Sequence, residues 1–242
     1  MTSRFKIVAD LSIPLRVYGP QPNAFGGDPA AAVSLGDTRT GSSVNFEHYT
    51  LTPHCNGTHT ECVGHITNER IYVRDCLRDV LMSALLISVE VKGASNGGAL
   101  ITEAALRSAG VGPDTGTEAL VIRTLPNDDT KLTRRYDANN TPAYFTPDAI
   151  RLIIICGFTH LLTDLPSIDR LHDEGKLLNH RLFWNVEPDA VTLHTGSRIY
   201  STITELIYVP NDVEDGQYTL NLQIAPFQSD AAPSRPLLLR EV

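Results

Sequence analysis

The chain has 242 residues, 42% of them hydrophobic, and a formal net charge of −8 at pH 7. This length suits one large domain or two small ones, and the acidic balance argues against a nucleic-acid or anionic-membrane partner, since either would need a basic face. No apolar run approaches the ~18 residues of a membrane span, no signal peptide is visible, and the cysteines are too few and scattered for a disulfide framework. We therefore expect a cytoplasmic protein with reduced thiols.

Strands dominate the predicted secondary structure. Runs rich in β-branched and large apolar residues predict strands at residues 5–11, 44–52, 84–91, 118–124, 203–209 and 218–224. Thr102 and Thr146 are N-cap residues, and Pro147 suits a first helical position, so helices are expected to begin there. The second helix leads through residues 152–156 to a further strand. Residues 177–184 predict one more helix.

Three stretches rich in turn-forming residues predict loops. Residues 19–29 carry one aromatic, Phe25, which either anchors the loop to the core or forms a wall of a substrate pocket. Residues 93–98 lack the spacing of a phosphate loop and predict a turn. Residues 126–142 predict an exposed insertion. Without a repeat or a dividing linker, the pattern favours one α/β domain over residues 1–242.

Residues 54–65 hold an unusual density of metal-binding side chains. Three histidines, two cysteines and a glutamate fall within this segment, directly after the strand predicted at residues 44–52. No hydrophobic period explains the density. Thiolate, imidazole and carboxylate are the side-chain groups that bind zinc and similar ions. The segment therefore predicts a metal site at a strand end and on the loop that follows.

The spacing suggests a role for each residue. His59 and Glu61 project from the same face of an extended segment, and a Gly-Thr pair lets Cys55 fold back toward the same ion. His65 follows a glycine and is the candidate general acid or base beside a metal that activates water. Cys62 is more simply a small buried hydrophobe, and His54 a residue paired with a backbone carbonyl.

The segment resembles the signature His-x-Gly-Thr-His-x-Asp-x-Pro-x-His of the metal-dependent cyclase and kynurenine formamidase superfamily. Gly57, Thr58, His59 and His65 match in register, while Cys55 replaces the first His, Glu61 the Asp, and Val63 the Pro. Four further segments match the family in the same order along the chain. Residues 10–15 resemble its opening strand, and residues 25–28 resemble its Trp-Pro-Gly-Asp. Residues 123–124 close a strand as in the family, and residues 163–169 resemble its Thr-Asp-x-Pro-Ser-x-Asp.

The resemblance implies a mixed-sheet α/β domain of the swivelling β/β/α type, assembled as homodimers or homotetramers, with one or two zinc ions. It implies metal binding by Cys55, His59 and Glu61, and acid/base catalysis by His65. A later His and Glu complete the site, and these fall on His180 and Glu205. Because the gap between the last two is longer than usual, His194 is a rival for His180.

Two departures from the signature affect the chemistry. A thiolate at position 55 would favour Zn²⁺ over Mn²⁺, unless His54 takes the role after a one-residue backbone shift. Glutamate at position 61 lengthens the arm by one methylene and would push the metal outward or alter its contact.

Three functions follow from these residues. The first is a metal-dependent hydrolase that cleaves an amide, formamide or lactam-like C–N bond of a small, aromatic substrate, as an arylformamidase does. The second is a cyclase or dehydratase that acts on a biosynthetic intermediate. The third is a protein in which a four-coordinate metal only holds the Gly57-Thr58 loop.

Overall fold

A computed structural model describes residues 4–93, 98–113 and 115–242. Within these ranges the strands are β1 (Phe5–Asp10), β2 (Ala31–Gly36), β3 (Phe46–Thr50), β4 (His59–Glu61), β5 (Leu81–Glu90), β6 (Lys92–Gly93), β7 (Ala99–Ile101), β8 (Ala119–Leu125), β9 (Tyr144–Phe145), β10 (His160–Thr163), β11 (Thr202–Glu205), β12 (Gly216–Ile224) and β13 (Ala231–Glu241). The α-helices are α1 (Val73–Cys76), α2 (Glu103–Ser108), α3 (Pro147–Ile155) and α4 (Leu178–Trp184). Most of the turn predicted at residues 93–98 lies outside the described residues.

A closed mixed sheet organises these elements. Its strands run in the order β13, β12, β5, β8, β10, β11 and β4, and β4 pairs back onto β13 to close the barrel. The central strands β5, β8, β10 and β11 are parallel to one another, whereas β4, β12 and β13 pair antiparallel. β1 extends the sheet along the second half of β13. This architecture confirms the predicted α/β fold with a mixed sheet.

The alternation of side chains along each strand divides the apolar residues into two cores. On β8, Ala119 and Val121 face the barrel interior, where they pack with residues of β5, β10, β12 and β13. Leu120 and Ile122 face outward and pack against α2, α3 and α4. Burial on both faces explains why β5 and β8 read as nearly continuous apolar runs.

Two helices begin where the sequence predicts. The Thr102 hydroxyl accepts a hydrogen bond from the Ala105 N–H (3.2 Å), and the Thr146 hydroxyl accepts one from the Ala149 N–H (3.3 Å). These caps satisfy N–H groups that a helix leaves without intrahelical partners. Within the described residues, no helix is long and apolar enough to cross a bilayer.

The structure corrects two predictions. Residues 126–142 are not uniformly exposed, because Lys131 and Tyr136 are buried and the Lys131 ammonium lies 2.7 Å from Asp164. The metal-binding segment also does not follow the strand at residues 44–52 directly. That strand shortens to β3, which among the described strands pairs only with β2 in a separate hairpin, and the 3₁₀ turn Pro53–Cys55 lies between β3 and β4.

Candidate metal centre

Strands β4 and β11 bring three of the predicted ligands together. They pair antiparallel with His59 opposite Glu205 and Glu61 opposite Ile203. Residues two apart on a strand share a face, so His59 and Glu61 project to the same side as Glu205. The ligand atoms of these three buried side chains all lie within 4.8 Å of one another. The strand pairing therefore unites donors that are far apart in the sequence.

The Gly-Thr pair fixes the approach to β4. Gly57 adopts φ +77°, a left-handed conformation that favours glycine. The Thr58 hydroxyl accepts a hydrogen bond from the Ile13 N–H (2.8 Å) and donates one to the Leu206 carbonyl (2.5 Å). The Nδ1–H of His59 donates to the Gly57 carbonyl (3.1 Å), which leaves Nε2 facing Glu205 Oε2 at 3.5 Å. The local backbone thus selects the nitrogen that His59 offers.

Helix α4 contributes His180, which is buried. Asp169 Oδ2 accepts hydrogen bonds from the Nδ1–H (2.7 Å) and the backbone N–H (3.1 Å) of His180. Asp169 Oδ1 accepts one from the Asn179 N–H (2.8 Å). A carboxylate on the second nitrogen of an imidazole fixes the ring orientation, as it does for many metal-binding histidines. His180 Nε2 lies 3.0 Å from Glu61 Oε1. Of the two rival histidines, the structure brings His180 into the cluster and leaves His194 exposed in a later loop.

Three bulky residues beside the centre adopt left-handed backbone conformations. Phe25, Leu177 and Leu206 have φ of 57°, 47° and 54°. Leu177 precedes α4, and Leu206 ends β11 directly after Glu205, which is why the strand predicted at residues 203–209 stops early. Such conformations cost about 1–3 kcal/mol each and persist where the surroundings impose them. The strain accompanies the placement of His180 and Glu205.

Of the two candidates for the first ligand of the signature, His54 directs a ring nitrogen toward the carboxylates of the cluster. Both candidates belong to the 3₁₀ turn Pro53–Cys55. His54 Nε2 lies 3.4 Å from Glu61 Oε2. The Cys55 thiol instead packs against Gly27, 2.7 Å from the point that a Cβ on that glycine would occupy. The structure thus brings the His54 imidazole next to Glu61, while the Cys55 thiol lies against the loop that contains Phe25, and the choice of the first ligand stays a prediction.

His65 lies on the 3₁₀ turn Val63–His65, next to the cluster. Its ring stacks on His54 with 4.4 Å between centroids, and its Nε2 lies 3.9 Å from Glu61 Oε2. Its Nδ1 is 3.3 Å from Oδ2 of Asp230. Asp230, which lies 165 positions downstream of His65, was not among the predicted site residues. Asp169 belongs to the segment at residues 163–169, but its role was not predicted.

Charges in the centre depend strongly on one another. Burial disfavours ionised Glu61, but its interactions with His65 and His180 outweigh burial and lower the Glu61 pKa to about 2. Burial alone would lower the pKa of His180, yet Asp169 and Glu61 raise it well above its usual value. Burial and the neighbouring charge of Glu61 raise the pKa of Glu205. Buried carboxylates of this kind need a compensating positive charge.

The donor set fits a divalent cation. His54 Nε2 and His59 Nε2 are buried and lack hydrogen-bond partners among the described residues. His54 Nε2 lies 3.4 Å from Glu61 Oε2 and 3.1 Å from Asp230 Oδ2, and His59 Nε2 lies 3.5 Å from Glu205 Oε2. The distances to the two glutamates are close to the about 3.4 Å that separates ligands around a tetrahedral ion with bonds near 2.1 Å. Together with Glu61, Glu205 and His180, they offer nitrogen and oxygen donors. A cation would satisfy both imidazoles and the buried negative charge.

A cavity of about 360 Å³ opens onto this centre. Its lining includes the polar side chains of His54, Glu61, His65, His180 and Glu205. It also includes the apolar residues Phe25, Leu171 and Leu177, together with the Cys55 side chain and the charged Arg170 and Asp173. Most of the predicted site residues therefore share one cavity, whereas His59 is fully buried behind its lining.

Comparisons with known proteins agree with this architecture. The sequence profile of the Cyclase family, described as "Putative cyclase", matches residues 9–170. Curated proteins yield no match. Among solved structures, a potential metal-dependent hydrolase with cyclase activity is 16% identical, with a TM-score of 0.67 over 99% of this chain and 100% of the other. Isatin hydrolase A from Labrenzia aggregata is 14% identical, with a TM-score of 0.66 over 98% and 93%. Isatin hydrolase A from Ralstonia solanacearum is also 14% identical, with a TM-score of 0.67 over 97% and 92%.

Proposed function

Because this chain belongs to the Cyclase family, we propose that it is a metal-dependent hydrolase that cleaves the C–N bond of a small aromatic amide, formamide or lactam. The observation that carries the proposal is the pair of buried imidazole nitrogens, on His54 and His59, that face carboxylates and lack hydrogen-bond partners among the described residues. Four of the five donors, His54, Glu61, His180 and Glu205, line a cavity instead of being enclosed. Catalytic metal sites keep a position open to substrate, whereas structural sites are closed.

The cavity supports a small aromatic substrate. Phe25, Leu171 and Leu177 provide apolar surface opposite the donors, and about 360 Å³ suits a compact ring system. Two of the similar structures are isatin hydrolases, and isatin is a bicyclic aromatic lactam. A lactam or N-formyl arylamine would place its ring against Phe25 and its carbonyl toward the donors.

The proposed mechanism assigns a task to each group. His54, His59, His180, Glu61 and Glu205 would hold the cation, which supplies Lewis-acid activation of the carbonyl and of water. His65 would accept a proton from the attacking water and deliver it to the leaving nitrogen. Water thus adds across the C–N bond, giving a carboxylic acid and an amine. Asp169 would keep the Nε2 of His180 directed at the centre.

Metal content and turnover of matched variants test this proposal. The purified protein, loaded with Zn²⁺, is analysed by mass spectrometry for bound metal and assayed with isatin and N-formylkynurenine. We expect His59→Ala and His180→Ala to lose bound metal and turnover. His194→Ala is the control and should retain both, because His194 lies outside the cluster. A wild-type protein that binds no divalent cation, or a His180→Ala protein with full metal content and turnover, would refute the assignment.

A cyclase or dehydratase is the second candidate. It is favoured by the family description and by the similar structure of a hydrolase with cyclase activity. The same donors could polarise a carbonyl for ring closure, with His65 as the proton carrier. Product mass separates the two, because hydrolysis adds one water to the substrate and cyclodehydration removes one.

The finer properties are also proposals. The nitrogen and oxygen donors suit Zn²⁺, with Mn²⁺ as the alternative, as one ion or two. Since the Cys55 thiol packs against Gly27, a thiolate no longer favours zinc. We place the protein in the cytoplasm, which its free thiols support. A net charge of −8 supports a small-molecule substrate without a nucleic-acid partner.

We also propose a homodimer or homotetramer. The hairpin of β2 and β3 pairs with no other strand among those described. It exposes apolar side chains that include Val33, Leu35, Phe46 and Tyr49. A concentration of exposed apolar residues on one element is typical of a subunit interface. A second copy of the chain would cover this surface.

A further inference from the structure

Asp230 precedes β13 and shares one carboxylate oxygen between two histidines of the centre. Its Oδ2 lies 3.3 Å from His65 Nδ1 and 3.1 Å from His54 Nε2. We propose that Asp230 is a positioning residue that holds the Nδ1–H of His65, so that Nε2 is the nitrogen that exchanges protons with the substrate. The proposal rests on the proposed function insofar as it assigns proton transfer to His65.

The backbone around Asp230 keeps its carboxylate in place. The Cys62 N–H donates to the Asp230 carbonyl (3.0 Å), and the Val73 N–H donates to the Ser229 carbonyl (2.9 Å). The Ser229 hydroxyl donates to Asp230 Oδ1 (3.1 Å), which leaves Oδ2 for the histidines. Because these bonds join residues 229–230 to the segment around His65, the carboxylate and the imidazole belong to one connected unit.

The surroundings of His65 explain why it needs such a partner. About a quarter of its side chain is exposed, 27%, so burial alone does not fix the ring. Among the described residues, Asp230 is the one hydrogen-bond partner of the His65 imidazole. A neutral imidazole carries its proton on one nitrogen and a lone pair on the other. A carboxylate at Nδ1 therefore places the lone pair on Nε2, which points toward Glu61.

The geometry distinguishes this role from metal binding. His54, His65 and Asp230 also bring ligand atoms within 4.8 Å of one another, an arrangement that a cation could use. However, His65 Nδ1 is aligned for a hydrogen bond with Asp230 Oδ2 at 3.3 Å, whereas His54 Nε2, although 3.1 Å from the same oxygen, is not aligned for one. In our proposal the lone pair of His54 is directed to the cation, and Asp230 serves His65.

Imidazole NMR of the metal-free protein tests the proposal without substrate. In mildly alkaline buffer, ¹⁵N shifts report which ring nitrogen carries the proton, and His65→Gln identifies the His65 signals. We expect the Nδ1–H tautomer in the wild type and a mixture of tautomers in Asp230→Ala. Asp75→Asn is the control, because Asp75 is exposed on α1. An unchanged His65 tautomer in Asp230→Ala would overturn the proposal.

Turnover and metal content provide the second readout. With Zn²⁺-loaded protein and isatin as the probe, Asp230→Asn should lower kcat about 10- to 100-fold, as for other partners that orient a functional histidine. KM and bound zinc should be unchanged, and Asp230→Glu should recover part of the rate. Loss of zinc from Asp230→Asn would identify Asp230 as a ligand and overturn the proposal. The NMR result does not depend on turnover, so a protein inactive toward isatin would refute the proposed function separately.

Discussion

Acid should destabilise this protein through a histidine outside the metal centre. His160 lies on β10 and faces the barrel interior, on the same side as Leu162. It is 9% exposed, and its Nδ1 shares a hydrogen bond with the Thr202 hydroxyl (2.8 Å). Burial disfavours the charged imidazole and lowers its pKa from 6.5 to about 4. Between pH 6.5 and about 4, His160 is therefore neutral in the folded protein and protonated in the unfolded chain.

The sign and size follow from linkage. As the pH falls below 6.5, the unfolded chain takes up the proton first, so the free energy of unfolding decreases until the folded protein is protonated near pH 4. A difference of 2.5 between pKa values of 6.5 and about 4 corresponds to about 3 kcal/mol. The stability that neutral His160 provides is thus complete above pH 6.5 and lost as the pH falls through about 4.

Urea unfolding of the wild type and of His160→Asn, both without metal, measures this contribution. Asparagine can keep the hydrogen bond to Thr202 but cannot be protonated. All other titratable groups are common to both proteins, so their contributions cancel in the difference between the two unfolding free energies. Between neutral pH and pH 4, the free energy of unfolding of the wild type should fall by about 3 kcal/mol more than that of His160→Asn. A difference that is independent of pH would refute the assigned burial.

Two further predictions concern packing and assembly. A Cβ at Gly64 would lie 2.3 Å from the Ile71 carbonyl oxygen, so Gly64→Ala should lower the unfolding free energy by about 1–3 kcal/mol in urea titrations. Gly112→Ala, whose Cβ meets nothing within 4 Å, should show little change, and equal losses would contradict the clash. On the hairpin of β2 and β3, Val33 is 60% exposed, and Val33→Asp should turn the proposed oligomer into a monomer in light scattering. Val80→Asp, at an exposed position outside the hairpin, is the control. A wild-type protein that is monomeric in light scattering would contradict the proposed interface.

The fold was predictable where apolar patterns and caps coincide with strands and helices. β5 and β8 are apolar runs, β12 alternates apolar and polar residues, and Thr102 and Thr146 cap helices as predicted. β13, which closes the barrel, was not predicted. It contains Pro233 and Pro236, and proline cannot donate a hydrogen bond to a neighbouring strand. Closure of the sheet therefore depends on a strand that local propensity disfavours.

The site was predictable where its residues are neighbours in the sequence. His59, Glu61 and His65 lie within one short segment, and family resemblance extended the set to His180 and Glu205, which the structure brings to the same cluster. Asp230 was not predictable because its contact with His65 arises only when β13 pairs with β4. Spacing carries no information about a pair that tertiary structure alone creates.

The substitution of glutamate for aspartate at position 61 and the shift from Cys55 to His54 are connected. The turn Pro53–Cys55 adds one residue between the first histidine and the Gly-Thr pair, so a comparison by register selects Cys55. Glu61 spans the resulting arrangement, with Oε1 3.0 Å from His180 and Oε2 3.4 Å from His54. A shorter aspartate would retract both oxygens by about one C–C bond, ~1.5 Å. The longer arm thus lets Glu61 reach both histidines, so the two departures from the signature are compatible with a single cluster.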